Sequence, residues 1–265
     1  SDMEAELQVL LQTAQPNAVA FNGAGISPNP VRWCGTESGS PPGYPTIWST
    51  MCDGAPFNGC PPNSTNATWQ PSAADYTLQA GDVWFYEPGA PLNSLAALIS
   101  TYHQTVGANT VLELDFAIDR TGQVHPTHDA LYRRFGAWIR SCYGSALALG
   151  STAGIAPNGS VWTLVVPLGG AASATPVDRV SLMEEEEFGG QRVTGYYIEY
   201  APANGTATWL PFAGPFVTIG YKKIDIAPGG AVLAAALRIT ITAALDQPLV
   251  TMSVFAAAPC NLPST

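Results

Sequence analysis

Charge is scarce in this chain of 265 residues: only 11% of it is Asp, Glu, Lys or Arg. Ten Lys and Arg stand against 20 Asp and Glu, for a net charge of −10 at pH 7. The few cations form no basic stripe, and an acidic surface repels phosphate backbones, which argues against nucleic-acid binding. No apolar run approaches the roughly 20 residues needed to cross a bilayer, so no membrane span is expected. The three His and five Cys include no CxxC pair and no Cys/His spacing suited to zinc, and no cofactor is expected. No serine sits in a nucleophile elbow, so Ser-His-Asp chemistry has no support. The start, Ser1-Asp2-Met3-Glu4, lacks the basic and apolar parts of a secretion signal, as expected of a mature product or a piece of something longer. No internal repeat is evident.

What the chain has in quantity is Gly (26) and Pro (23), so turns and irregular segments should be frequent. Asn63, Asn66, Asn158 and Asn204 each begin a glycosylation sequon in turn-rich sequence. Together they lean towards the secretory pathway, hence a secreted or cell-surface protein, or one of a lysosome- or vacuole-like compartment. Of Cys34, Cys52, Cys60, Cys142 and Cys260, the pair Cys52 and Cys60 brackets a short Gly/Pro loop and is the first choice for a disulfide. The odd count leaves a free thiol or a bridge to another chain.

Two patterns divide the sequence. Residues 1–148 alternate strand-like and helix-like segments. Met3, Leu7, Leu10 and Leu11 share one face of a first helix; "NAVAFNG" and "DVWFYE" read as strands. Leu95, Leu98, Ile99, Tyr102 and Val106 mark a second helix, "TVLELDFAI" a third strand, and Leu131, Phe135, Trp138 and Ile139 a third helix. Such alternation implies parallel strands under helices, and three or so strands cannot close a barrel of eight. The expected fold is α/β plus all-β: the C-terminal half of a (β/α) TIM-like barrel, then, over residues 155–265, short strands at the rhythm of an antiparallel β-sandwich. A Gly/Ala/Ser-rich stretch, "YGSALALGSTAGIAPNGS", reads as the linker.

Between Gly23 and Gly81 lies a long Pro/Gly-rich insertion, and segments after a barrel strand's C-terminal end build the active-site face. Glu37 falls there, beside Arg32 and Trp33 and not far from Trp48. Aromatic planes with a few charged groups suit a sugar ring, and a lone carboxylate among them suits a proton donor; an ordinary loop charge is the alternative.

The run "QPNAVAFNGAG...VRWCGTESG...TIWST" resembles the α-L-fucosidase family of retaining glycoside hydrolases, as do "GDVWFYEPG", "VGANTVLELDFAIDRTGQVHP", "GQRVTGYYIEY" and "TIGYKKID". The resemblance covers nearly the whole chain and places it at the family's C-terminal part. By motif it gives Glu37 the acid/base role and makes Arg32, Trp33 and Trp84 candidates for shaping the sugar site. Arg-Trp-Cys is most similar to the branch acting on α1,3- and α1,4-linked fucose. The family's nucleophile aspartate and fucose-binding histidine pair have no counterpart here. The resemblance therefore implies a fucosylated glycan as substrate and an N-terminal half of the enzyme as a second chain or missing segment, without which this chain is inactive. A disulfide to that chain would use the odd cysteine. Four positions depart from the family: Thr36 and Asp115 stand where it has Asn, and Ala117-Ile118 where it has Pro-Pro. The rival reading is a non-catalytic extracellular sugar-binding or structural glycoprotein on the same fold.

Other charged features have plainer readings. His125 and His128 beside Asp129 read as a solvated first helical turn rather than a metal site, and "MEEEE", residues 183–187, as a solvated strand edge.

Overall fold

A computed structural model describes residues 2–23, 25–27, 30–168, 175–186, 190–202, 208–257 and 260. Asn204 and Glu187 lie outside them. The chain opens with helix α1 (Asp2–Ala14) and strands β1 (Ala20–Phe21) and β2 (Pro30–Trp33). A small antiparallel hairpin follows, β3 (Thr50–Met51) with β4 (Thr68–Trp69), and then β5 (Ser72–Tyr76), α2 (Leu95–Gln104), β6 (Thr110–Leu114) and α3 (Pro126–Tyr143). Strands β1, β2, β5 and β6 hydrogen-bond in that order, all parallel, as one open sheet.

The two later helices form where their apolar stripes predict. Ser94 caps α2 by accepting from Ala97 N, while Pro126 opens α3 with His125 as its cap. Leu98, Tyr102, Leu131, Phe135 and Trp138 close over the sheet together with Leu112 and Leu114 of β6. The sheet's other face has no such cover at β6, where Val111 is 51% exposed; Phe21 on β1 and Ile118 beyond β6 are exposed as well. Helix α1 also carries its stripe into solvent, with Met3 70% and Leu10 61% exposed.

Among the described residues the second half has eight strands: β7 (Ala148–Ser151), β8 (Trp162–Pro167), β9 (Thr175–Glu184), β10 (Val193–Pro202), β11 (Leu210–Phe216), β12 (Lys223–Ile226), β13 (Val232–Ala244) and β14 (Val250–Ala256). The main path is β11-β10-β13-β9-β14-β7, with β12 also on β9 and β8 also on β13. Every pairing is antiparallel. Strand β13 meets β9 at its start and β8 from Ala236 onward, so one strand serves two partners on the same edge. Leu182, Tyr196, Ile198, Leu237, Ile239, Ile241 and Met252 are buried in a single core.

Four expectations change. "DVWFYE" forms no strand: Gly81 and Asp82 take positive φ, and the aromatic run wraps as a loop. The strand preceding α2 is instead β5. The stretch read as linker contains β7, which pairs with β14, so the antiparallel sheet begins at Ala148 rather than at 155. Glu184 is not at a solvated edge; its carboxylate is 2% exposed and accepts from the amides of Arg192, Val193 and Gly220. Finally, Cys52 bonds Cys60 and Cys142 bonds Cys260, leaving Cys34 as the free thiol, fully buried. A thiol at that depth has no access to a neighbouring chain, which removes the expected interchain disulfide.

Candidate active site

Glu37 sits on a loop clamped along β5. Past β2, Cys34 N donates to Ala73 O at 2.8 Å, Asp75 N to Thr36 O at 3.4 Å, and Gly39 N to Asp75 O at 3.0 Å. The bend is tightened within the loop, where Thr36 Oγ1 and Ser38 Oγ lie 2.7 Å apart and Ser38 N donates to Thr36 Oγ1. Gly39 has φ +73, and a Cβ there would meet Thr101 of α2 at 2.4 Å. Only glycine lets the loop press this closely onto β5 and α2. The result is a cleft of 620 Å³ at the C-terminal edge of the parallel strands, lined by Trp33, Glu37, Tyr76, Thr77, Asp82 and Asn93. Ligand sites of open parallel sheets form at that edge. Glu37 itself is exposed at the cleft.

The residues expected beside it separate. Trp33 lines the cleft with its indole Nε1 buried and without a hydrogen-bond partner. Arg32 faces the other way: it is 5% exposed and donates to Phe57 O at 2.5 Å and Trp48 O at 2.7 Å. Burial lowers its pKa to about 10. It braces the insertion and does not reach the cleft, and Trp48, 5% exposed, lies in that braced interior. Trp84 is half-buried and lies outside the cleft lining.

The structure adds two acids that the sequence reading passed over. Asp75 and Glu113 are register partners on β5 and β6. Burial, and then the hydrogen bond and repulsion from Asp75, raise the Glu113 carboxyl to about 7. Their signal was a charged residue inside each short apolar strand at matching heights. At the end of β6, Asp115 has Oδ2 buried without a partner, and burial raises its pKa. His128 is 3% exposed, with Nδ1 unpartnered and Tyr86 at 5.6 Å, and burial lowers its pKa. His128 is therefore part of the packed interior rather than of a solvated turn. Among the described residues, no three His, Cys, Asp or Glu side chains are placed to share a metal.

No family model matches this chain, and no curated protein does. Solved structures do. A protein of Bacteroides ovatus assigned as an α-L-fucosidase is 26% identical, with a TM-score of 0.77 over 100% of this chain and 46% of its own. One from Bacteroides thetaiotaomicron, similarly assigned, has 21% identity and a TM-score of 0.79 over 96% of this chain and 61% of its own. A glycoside hydrolase 29 fucosidase of Ruminococcus gnavus, in complex with fucose, has 21% identity and a TM-score of 0.72, covering 96% and 57%. The chain has the fold of the α-L-fucosidases. It spans about half the length of those proteins. Within this fucosidase fold, Thr36 is part of the turn that carries Glu37, and Asp115 is held beside His128 at the end of β6. Asn63, Asn66 and Asn158 are exposed.

Proposed function

We propose that this chain is the acid/base-bearing part of a retaining exo-α-L-fucosidase that removes terminal α-linked L-fucose from glycans, of the α1,3/α1,4 type. The observation that carries the reading is that Glu37, an exposed carboxylate, and the aromatic side chain of Trp33 line one cleft at the C-terminal edge of the parallel strands. Retaining hydrolysis uses two carboxyl groups about 5–5.5 Å apart. Glu37 protonates the leaving glycosidic oxygen and then takes a proton from the water that releases fucose. Trp33 offers the sugar an aromatic surface. Asp82 lies in the same cleft, but we assign the nucleophile to polypeptide outside residues 1–265. That assignment is supported by the bare inward face of the parallel sheet, since parallel strands are normally covered on both sides. On this reading the parallel strands and their helices are half of a catalytic barrel and the antiparallel strands from β7 onward a β-sandwich, in a glycoprotein of the secretory pathway.

Glu37→Gln in the longer protein should cut turnover of a fucosylated oligosaccharide by about 10²–10⁴-fold. An aryl fucoside, whose good leaving group needs no proton, should still form the glycosyl-enzyme. Equal turnover of the natural glycan by both proteins would remove Glu37 from the mechanism. A non-catalytic sugar-binding role is favoured by one feature, the departures at Thr36 and Asp115. It predicts fucose binding without turnover in the same assay.

A further inference from the structure

Away from the Glu37 cleft, on the β3–β4 hairpin, Trp69 is 47% exposed. Its indole N–H faces the Glu186 carboxyl. The ring helps to line a second cleft of 710 Å³ together with Asp53, Asn66, Thr68 and Gln70. Asn66 begins the sequon Asn66-Ala67-Thr68, so the modifiable amide and the exposed ring share one cavity. Asn66 sits in a turn at φ 57, and its Nδ2 donates to Asp53 Oδ2 at 2.7 Å. That contact uses one N–H and fixes the direction of the amide, leaving the second N–H for substitution. Asn63 and Asn158 are also exposed, but neither lines this cleft. Both disulfides suit the oxidising compartment in which such modification occurs.

We propose that Asn66 carries an N-linked glycan whose first N-acetylhexosamine lies on the face of Trp69. The transfer breaks the C1–O bond of a lipid-pyrophosphate-linked oligosaccharide and forms C1–Nδ2; the amide proton leaves with the pyrophosphate. The remaining N–H keeps its bond to Asp53. The sugar's C–H face covers the indole, while its hydroxyl and acetamido groups meet the polar rim formed by Asp53 and Gln70. The proposal is independent of the catalytic reading, because neither Glu37 nor any other residue of its cleft takes part.

The test uses the full-length protein secreted from a glycosylating host. Glycopeptide mass spectrometry should find Asn66 occupied. Asn66→Gln should lower Tm by about 2–4 °C in the native background and by much less in the Trp69→Ala background. Any strain that Gln suffers at the left-handed turn is common to both backgrounds, so the difference isolates the sugar–ring contact. Should Trp69→Ala fail to fold, removing the glycan enzymatically from the folded protein should increase acrylamide quenching of tryptophan fluorescence, an increase that Trp69→Phe abolishes. An unoccupied Asn66 overturns the proposal. So does an equal Tm loss in both backgrounds, or quenching that does not change on deglycosylation.

Discussion

Alternation along β2 turns Arg32 and Trp33 to opposite faces, and their neighbours then decide what each can do. The Arg32 guanidinium is committed to the carbonyls of Phe57 and Trp48 in a space with no room for a ligand. Arg32→Ala should therefore cost about 2–4 kcal/mol of stability in chemical denaturation, because two buried acceptors lose their donor. Asp82 lies in the Glu37 cleft and is the carboxylate there that the proposed mechanism leaves unused. Asp82→Asn should leave formation of the glycosyl-enzyme intact when followed by burst kinetics. The Asp75–Glu113 pair makes a pH prediction. Its raised carboxyl holds a proton in the folded state that the unfolded chain releases near pH 4.5. The stabilising contribution is full below that pH and disappears as pH rises to about 7. Glu113→Gln should raise Tm at pH 8 while leaving it nearly unchanged at pH 4.

At the scale of elements, α2 and α3 were legible because helical periodicity and a cap coincided in each. Strand β5 was not. Ser72, Ala73 and Ala74 are small and buried, so neither bulk nor alternation marks them. Conversely, "DVWFYE" has the β-branched and aromatic look of a strand, yet Tyr86 is used to pack on His125 and His128. The acidic run failed for a related reason: sequence shows four successive charges, but not the three amides that converge on Glu184. That Glu37 would fall at the C-terminal edge of the strands could be read from its position after a strand, whereas the burial of Arg32 and the absence of Trp84 from the cleft lining needed three dimensions. The join between the two sheets also escaped the sequence. Gln191, 1% exposed, accepts from Ser49 N and donates to Ile47 O at 3.0 Å and to Thr218 Oγ1 at 2.9 Å. Gln191→Ala should cost about 3 kcal/mol in denaturant unfolding, since these buried groups lose their partner together. Beside it, Ser49 Oγ donates to Glu186 at 3.2 Å; burial and then repulsion from Glu184 raise the Glu186 carboxyl to about 7. By the same sign as Glu113, this join is firmest in acid and loses about 2–3 kcal/mol as pH climbs from 4.5 to about 7. Glu186→Gln should remove that part of the pH dependence.

Across the whole molecule, the antiparallel half closes a core of its own, whereas the parallel half covers one side of its sheet only. Val111, Phe116, Ile118 and the stripe of α1 leave apolar surface of the kind that marks an interface. Residues 1–265 alone should bind a hydrophobic dye strongly or self-associate, and the longer protein should do neither. In the proposed mechanism Glu37 works with a nucleophile supplied from beyond residues 1–265. A 2-deoxy-2-fluoro-α-L-fucosyl fluoride traps the attacking carboxylate as a stable ester, and peptide mass spectrometry of the labelled full-length protein locates it. The label is predicted on a carboxylate outside residues 1–265; a label on Asp82, or on any other residue of this chain, would contradict the account.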